Sequence, residues 1–323
     1  MSNRPDCLTP SSAAAARLHE WLSSRMRTAP LSLPLTPFDA SGDIDLEAFR
    51  LHLKTQLAAN PAALIVCSGI GEFASLSLAE YGELVRLGVE VAAGTTPVIA
   101  GIGYRTAMAL EFAWSAAEAG ADGGLLMLSP LTSGPPDGVV EHVRMVSLGT
   151  SLPLVLSLGS RVRLPGRAVG ALSEISSVIG VLDRVGDVVQ VQGLRMVAPA
   201  HWLFINGATP AEMQARPYAS VGVTAMASAV HSFAPEIAHS FFRGMQERDD
   251  DWVEEMLREF YLPFNELSDT EACYSVSLPK AAARLRGLEV GGVRSPLVDP
   301  TPEHLGSLAI LLEKGLHLVA PGW

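Results

Sequence analysis

The chain has 323 residues, enough for one large domain or two average ones. Hydrophobic residues make up 48% and charged residues 18%, against about 25% charged in a typical soluble domain. This composition predicts a large buried core and excludes a disordered, collagen-like or coiled-coil chain. With 23 Lys and Arg against 34 Asp and Glu, the net charge of −11 makes nucleic acid an improbable partner.

The cysteine and histidine spacing predicts neither a disulfide framework nor a metal site. Cys7, Cys67 and Cys273 lie far apart, and the eight histidines show no HxH, HxxxH or HExxH spacing. No apolar run reaches the ~18 residues of a membrane helix, and no signal-peptide core is found. We therefore expect a cytoplasmic protein with no cofactor, metal or membrane partner.

Residues 1–28 are predicted to be a separate N-terminal extension that is partly helical. Prolines and serines at positions 5–12 indicate a loop, and the stretch 13–27 favours a helix with Leu18, Trp21 and Leu22 on one side. We expect this helix to pack on the rest of the chain or on a neighbouring subunit.

From residue 29 to 248, short apolar runs alternate with segments of helical period. Continuous apolar strands are typical of a parallel sheet buried on both faces, and eight strand–helix units predict a (β/α)8 TIM barrel. An open doubly wound sheet is the alternative, but the first strand is followed by Thr36-Pro37-Phe38-Asp39 rather than a glycine-rich nucleotide turn. The predicted strands are 31–36, 63–67, 97–101, 123–128, 153–157, 178–182, 202–206 and 221–226. The predicted helices are 45–59, 78–93, 106–119, 136–149, 165–175, 186–197, 209–216 and 234–248.

Residues 249–323 contain three further helical segments, at 250–266, 270–287 and 301–317. They are too few for another α/β domain, so we interpret them as a C-terminal helical appendix packed on the barrel.

Several motifs at the predicted strand ends resemble one enzyme family. They are Thr36-Pro37-Phe38, Gly69-x-Gly71-Glu72, Ala100-Gly101-x-Gly103-Tyr104, Ala119-Gly120-Ala121-Asp122-Gly123, Val185-Gly186-Asp187, Ser228-Ala229-Val230 and Tyr274-Ser275-Val276-Ser277 followed by Lys280. In order and spacing they resemble the dihydrodipicolinate synthase / N-acetylneuraminate lyase superfamily, and most nearly its 5-dehydro-4-deoxyglucarate dehydratase subgroup, over roughly residues 30–315. The resemblance implies a TIM barrel, a small-molecule ligand and a homo-oligomer, either a dimer or a tetramer.

The resemblance also implies a mechanism that this chain departs from. In the family a strand-six lysine forms a Schiff base with a 2-oxo acid, and a strand-five tyrosine relays protons. By resemblance, Leu182 stands at the lysine position, and Ser157, or Leu156 if the alignment shifts by one, stands at the tyrosine position. Ile70 replaces a threonine of the carboxylate-binding turn, and Leu131 replaces a further tyrosine.

These departures predict weak or absent activity on the family's own substrates and a more apolar pocket. A leucine cannot form an imine, and loss of the relay hydroxyl alone would remove an effect of about 10²–10⁴-fold. One hypothesis is a divergent lyase, dehydratase or cyclase that acts on a less polar substrate. The other is an inactive homologue that binds a ligand or a protein partner. The predicted substrate-binding residues are Thr36, Ser68, Gly69, Ile70, Leu131, Ser157, Leu182, Arg184, Asn206 and Ser228.

Four residues near the predicted barrel mouth are candidate acid–base groups. His231 would titrate near neutral pH, Tyr104 carries a phenol, Glu72 follows a glycine turn, and Asp183 ends strand six. Each also has a structural alternative: a buried histidine, a packing tyrosine, a carboxylate that holds the turn, and a salt-bridged loop. Lys280 is expected to be a helix residue near the mouth, with a relocated imine as the less favoured reading.

Overall fold

The computed structural model describes residues 12–128, 134–159 and 162–320. Eight parallel strands form a closed barrel in the order β1 to β8, with β8 pairing back to β1, which confirms the predicted TIM barrel. The strands are β1 (Leu31–Ser32), β2 (Leu64–Val66), β3 (Val98–Ile102), β4 (Gly123–Leu128), β5 (Leu154–Leu158), β6 (Val178–Asp183), β7 (Leu203–Asn206) and β8 (Ala225–Ser228).

Helices surround the barrel and extend the chain beyond it. They are α1 (Ser12–Arg25), α2 (Leu46–Ala58), α3 (Leu78–Ala92), α4 (Thr106–Glu118), α5 (Pro136–Leu148), α6 (Gly166–Ser173), α7 (Val188–Val197), α8 (Ala215–Ser220), α9 (Pro235–Glu247), α10 (Asp250–Met256), α11 (Leu262–Ser268), α12 (Tyr274–Leu285) and α13 (Pro302–Val319). Short 3₁₀ turns lie at Phe73–Ser75, Ala211–Gln214 and Val230–Ser232, and a π-helical segment, Leu257–Tyr261, joins α10 to α11. No described helix is both long and apolar enough to span a membrane.

Three predicted elements differ from the structure, each for a local reason. The strand predicted over 31–36 ends at Ser32, because Pro34 has no N–H to donate to a ladder. The strand predicted over 221–226 begins only at Ala225, because Gly222 has a φ of +77° and Val223 N–H closes a turn onto Tyr218. The helix predicted over 209–216 is instead the 3₁₀ turn Ala211–Gln214 followed by α8.

The barrel strands are buried because helices cover their outer faces. Strand β6, for example, is buried along its whole length. Close approach of neighbouring strands requires glycine at one point of the upper rim: a Cβ at Gly101 would lie 2.1 Å from the carbonyl oxygen of Cys67.

Helix α1 closes the N-terminal end of the barrel. Leu18 and Leu22 are buried within the barrel's apolar cluster, and the guanidinium of Arg25 donates to the carbonyls of Pro61 (2.7 Å) and Ala62 (3.1 Å), which precede β2. In this fold, chemistry occurs at the carboxyl ends of the strands. The extension therefore packs at the end of the barrel opposite to the chemistry.

The C-terminal helices form a second apolar cluster against β8 and α9. Ser275 and Val276 of helix α12 lie over the carboxyl ends of the barrel strands. The C-terminal helices therefore form part of the barrel mouth, the opening at that end. The division of the chain at residues 28 and 248 stays a prediction.

Candidate functional site

A cavity of about 140 Å³ opens at the carboxyl ends of the strands. It combines apolar side chains from the barrel interior with polar groups at the rim. Its described lining consists of Leu33, Ser68, Gly69, Ile70, Leu125, Met127, Ser157, Leu182, Arg184, Gly207, Thr209, Ala227, Ser275 and Val276.

Six of the predicted substrate-binding residues meet in this cavity. They come from the β2 turn, from β5 and from the end of β6. Parallel register explains part of the arrangement, since Ser157 pairs with Leu182 across the β5–β6 ladder. The six are Ser68, Gly69, Ile70, Ser157, Leu182 and Arg184.

Three polar groups of the cavity have unused hydrogen-bonding capacity. The hydroxyls of Ser68 and Ser157 are buried, at 4% and 1% exposure, and neither has a hydrogen-bond partner among the described residues. The guanidinium of Arg184 forms no hydrogen bond or ion pair with any residue in the described part of the chain. Loss of solvation lowers the pKa of Arg184 from its ordinary value, although an arginine stays charged at neutral pH.

Three other predicted binding residues hold turns instead and do not line the cavity. The Thr36 hydroxyl donates to the Gly71 carbonyl at 2.6 Å. The Asn206 amide donates to the Ala211 carbonyl at 2.7 Å. The Ser228 hydroxyl donates to the Glu212 carboxyl. Leu131 lies outside the described residues.

Ser228 belongs to a buried polar contact behind β8. Its hydroxyl donates to Glu212 Oε1 at 2.5 Å and accepts the His231 backbone N–H at 3.1 Å. Burial raises the pKa of Glu212 to about 7, so this carboxyl is partly protonated at neutral pH. Neither side chain lines the cavity.

Glu72 is paired rather than free. It lies in the left-handed region at φ 54° directly after the β2 turn, and Lys280 Nζ donates to its Oε1 at 2.7 Å. Both side chains are almost fully buried, at 0% and 1% exposure. The backbone N–H of Arg294 donates to the other oxygen at 3.0 Å, and Lys280 Nζ also lies 4.1 Å from the centre of the Phe38 ring. Burial lowers the pKa of Lys280 to about 8.

His231 is a neutral link in a buried chain of hydrogen bonds. The Gln56 amide nitrogen donates to the Ser232 carbonyl at 3.1 Å, which fixes the amide so that its oxygen faces His231 Nδ1 at 2.8 Å. His231 Nδ1 must then carry the proton, and its Nε2 accepts from His239 Nε2 at 3.2 Å. Burial lowers the pKa of His231 well below its ordinary value.

Asp183 and Tyr104 are likewise occupied. The Asp183 carboxylate accepts the Gly186 backbone N–H at 3.1 Å and the Tyr218 hydroxyl, so it holds the loop after β6. The Tyr104 hydroxyl donates to the Ala74 carbonyl at 3.2 Å, and its ring packs against Phe73 at 5.2 Å between centroids. The described cavity lining contains none of the four predicted acid–base residues.

Comparison with known proteins agrees with this architecture. Residues 27–314 match the sequence profile of the Dihydrodipicolinate synthetase family. The chain belongs to this family. It is 45% identical to a "Probable 5-dehydro-4-deoxyglucarate dehydratase 2" of Streptomyces coelicolor over 95% of this chain and 94% of that protein. It is 46% identical to the protein of the same name from Streptomyces avermitilis, over 94% and 92%.

Solved dihydrodipicolinate synthases share the fold. The Bacillus clausii structure superposes with a TM-score of 0.82 at 23% identity, covering 90% of this chain and 98% of its own. The Oceanobacillus iheyensis structure gives 0.83 at 21%, covering 91% and 98%.

In this member of the Dihydrodipicolinate synthetase family, no lysine or tyrosine lines the cavity. The chain has only Lys54, Lys280 and Lys314, all within the described residues. Lys54 is exposed on α2, Lys280 pairs with Glu72, and Lys314 pairs with Glu259. The five tyrosines are also all described, and none is in the lining.

Other cavity residues were not predicted from the sequence. Thr209 follows β7, and Ser275 and Val276 begin α12. The motif that contains Ser275 and Val276 supported the family resemblance, and it was the available signal for these two residues. Their position over the barrel mouth depends on how α12 packs, which the sequence does not specify. Within residues 12–128, 134–159 and 162–320, no three His, Cys, Asp or Glu side chains lie together as a metal centre requires.

Proposed function

We propose that this family member binds a small molecule in the barrel cavity without forming a Schiff base. One observation carries the proposal: the side chain that β6 directs into the cavity near its end is Leu182, and no lysine of the chain lines that cavity. An imine requires an accessible amine, which leucine lacks.

Lys280 is a poor replacement for the missing amine. Its Nζ donates to a buried carboxylate at 2.7 Å and is almost inaccessible. An attack on a ketone in the cavity would require Nζ to leave Glu72 and enter a cavity whose described lining does not include Lys280, and Glu72 would then be buried without its charged partner.

The described lining also favours binding over proton transfer. It contains hydroxyls and one arginine but no histidine, carboxylate, thiol or phenol. A hydroxyl is a weak acid–base group without an adjacent base. This supports a ligand-binding homologue of the family.

A divergent enzyme is the second candidate. It is favoured by the 45% identity, over nearly the whole chain, to a relative named 5-dehydro-4-deoxyglucarate dehydratase. Such an enzyme would be a lyase or dehydratase that works without an imine and holds its substrate with Arg184, Ser68 and Ser157.

Incubation with 5-dehydro-4-deoxyglucarate, followed by proton NMR and by intact-mass analysis after borohydride reduction, tests the proposal. We expect no product and no mass adduct. Leu182→Lys is the matched control, because it adds an amine to the cavity and should give a trapped adduct. Turnover without an adduct would support the second candidate. An adduct on the unaltered protein would overturn the proposal.

A homo-oligomer, implied by the family resemblance, is part of the proposal. Helix α7 supports it, because Val189 and Met196 are 79% and 76% exposed on its surface, and apolar surface of this kind marks interaction sites. Light scattering on the purified protein, with Val189→Asp as the disrupting variant, tests it.

A further inference from the structure

A cleft of about 170 Å³ lies between helix α2 and the segment 288–290, which follows α12. Its described lining shares no residue with that of the barrel cavity. The cleft combines a buried histidine that has an unused N–H donor with three carboxylates and several apolar side chains. We propose that it binds a small ammonium compound that also carries an oxygen atom, such as an amino alcohol. The ammonium group binds the carboxylates, and the oxygen accepts a hydrogen bond from His52.

His52 has a hydrogen-bond donor that the protein does not use. Its Nε2 accepts the Leu35 backbone N–H at 3.0 Å, so the proton of the neutral ring is on Nδ1. Burial lowers the pKa of His52 to about 4, which keeps the ring neutral at pH 7. The residue lines the cleft and is only 1% exposed, and its Nδ1 has no hydrogen-bond partner in the described part of the chain. Because buried donors are normally hydrogen-bonded, this N–H points to an acceptor atom on a ligand.

Three acidic residues, Asp45, Glu47 and Glu289, give the cleft an excess of negative charge. Glu289 forms no hydrogen bond or ion pair with any described residue. Glu47 is 89% exposed and approaches the Arg50 guanidinium only to 3.8 Å. The positive end of α2 offsets only about half a charge, and the described lining contains no lysine or arginine. The cleft therefore favours a cation over a neutral or an anionic ligand.

Hydrogen bonds attach both walls of the cleft to the loop that follows β1. On one wall, Asp45 Oδ1 accepts the Ala48 N–H at 2.9 Å and so caps α2, and the Asp45 N–H donates to the Pro37 carbonyl at 3.0 Å. On the other wall, the Phe38 N–H donates to the Val290 carbonyl at 3.3 Å. The cleft is therefore formed before a ligand arrives, which reduces the entropy lost on binding.

The size and apolar surface of the cleft limit the body of the ligand. At about 170 Å³ the cleft is slightly larger than cavities of about 150 Å³ that hold a benzene-sized molecule. The side chains of Leu51, Leu288 and Val290 contribute apolar surface to it. A chain of about four carbons between the ammonium group and the oxygen fits this volume and contacts these side chains.

Saturation-transfer NMR titrations of the full chain at pH 7.5 test the inference with probes of equal length. They are 4-amino-1-butanol, 1,4-butanediol, which has a hydroxyl in place of the ammonium group, and pentylamine, which has a methyl group in place of the hydroxyl. We expect 4-amino-1-butanol to bind saturably, the diol to bind at least tenfold more weakly, and pentylamine to bind severalfold more weakly. The probes have neither a ketone nor a carboxylate, so the result does not depend on the function proposed for the barrel cavity.

Variants identify the groups responsible. Combining Glu47→Gln with Glu289→Gln should weaken 4-amino-1-butanol binding at least tenfold. Glu313→Gln is the matched control, because Glu313 is exposed on α13 outside the described lining, and its affinity should stay within twofold of the unaltered protein. His52→Gln keeps an acceptor for the Leu35 N–H but lacks the Nδ1 donor, so it should bind 4-amino-1-butanol and pentylamine equally.

Four results would overturn the inference. They are the absence of saturable 4-amino-1-butanol binding, equal binding of the amino alcohol and the diol, an unchanged affinity in the folded double glutamine variant, and an undiminished preference for the amino alcohol over pentylamine in a folded His52→Gln variant. The two glutamates are exposed, so the double variant keeps the test decisive if His52→Gln does not fold.

Discussion

The cavity and the polar contacts behind it use similar residue types in opposite ways. In the cavity, the side chains of Ser68, Ser157 and Arg184 have no hydrogen-bond partner among the described residues. Behind it, Glu72 pairs with Lys280, and His231 hydrogen-bonds to a glutamine and a second histidine. The polar groups behind the cavity therefore stabilise the walls, and those inside it remain available to a ligand.

This difference shows why titratable residues at a barrel mouth are not necessarily catalytic. A buried polar group whose hydrogen bonds are satisfied by the protein stabilises the fold, and a ligand would have to displace those bonds to use it. Unsatisfied groups carry no such cost. Substitutions at both kinds of group therefore test this contrast between satisfied and unsatisfied groups.

The largest expected effect is at the buried ion pair. Lys280→Met leaves the Glu72 carboxylate buried without its partner, which should lower the free energy of unfolding by about 3–5 kcal/mol. Urea denaturation at pH 7.5 measures this change. Lys314→Met is the control: it removes a lysine that is 47% exposed in its pair with Glu259, and surface pairs contribute about 0–1 kcal/mol. Similar losses in the two variants would contradict the account.

Acidification should destabilise the fold through the buried histidines. Burial lowers the pKa of His52 and of His239 to about 4, so each stays neutral in the folded protein. The unfolded chain takes up these protons below about pH 6.5, so stability is lost as the pH falls from there toward 4. Between pH 7.5 and 5.0 each histidine should cost about 2 kcal/mol. Urea titrations at the two pH values test this, and a His239→Gln variant with the same pH dependence as the unaltered protein would contradict it.

Glu212 acts in the opposite direction and sharpens that test. Because its folded pKa is raised to about 7, the folded state holds a proton that the unfolded chain releases above about pH 4.5, so its contribution to stability grows as the pH falls through 7. In a Glu212→Gln variant this compensation is lost, and the destabilisation on going to pH 5.0 should exceed that of the unaltered protein. A smaller pH dependence in the variant would argue against a buried, protonated Glu212.

The smallest expected effects compare two buried serines directly. Ser228→Ala removes hydrogen bonds to Glu212 and to the His231 backbone, and should cost about 1–3 kcal/mol. Ser157→Ala removes a hydroxyl that has no hydrogen-bond partner in the described part of the chain, and it should leave stability unchanged or slightly raised. Thermal or urea unfolding of the two variants measures the difference, and an equal loss in both would show that the contrast is not real.

The sequence predicted the barrel well because the relevant information is local. Apolar runs and helical periods place most strands and helices within a few residues. The strand errors arose where Pro34 stops β1 early and where the turn at Gly222 delays the start of β8. The residues that line the cavity were also partly predictable, because the carboxyl ends of the strands in a parallel barrel lie on one face.

The roles of the polar residues could not be predicted in the same way. Whether a carboxylate or imidazole is free depends on partners far away along the chain. Lys280 reaches Glu72 across 208 positions, and His231 reaches Gln56 across 175. Local sequence carries no sign of such contacts, so Glu72 and His231 were proposed as catalytic candidates although both are hydrogen-bonded within the protein.

A crystal structure of the protein with 2-oxobutyrate most directly tests the central claim, because this ligand has both a carboxylate and a ketone able to form an imine. The account predicts a ligand bound in the cavity without a covalent bond to the protein, in contact with one or more of the polar groups that line it, Arg184, Ser157 and Ser68. Electron density continuous with Lys280 Nζ, or a ligand bound between His231 and His239, would contradict it.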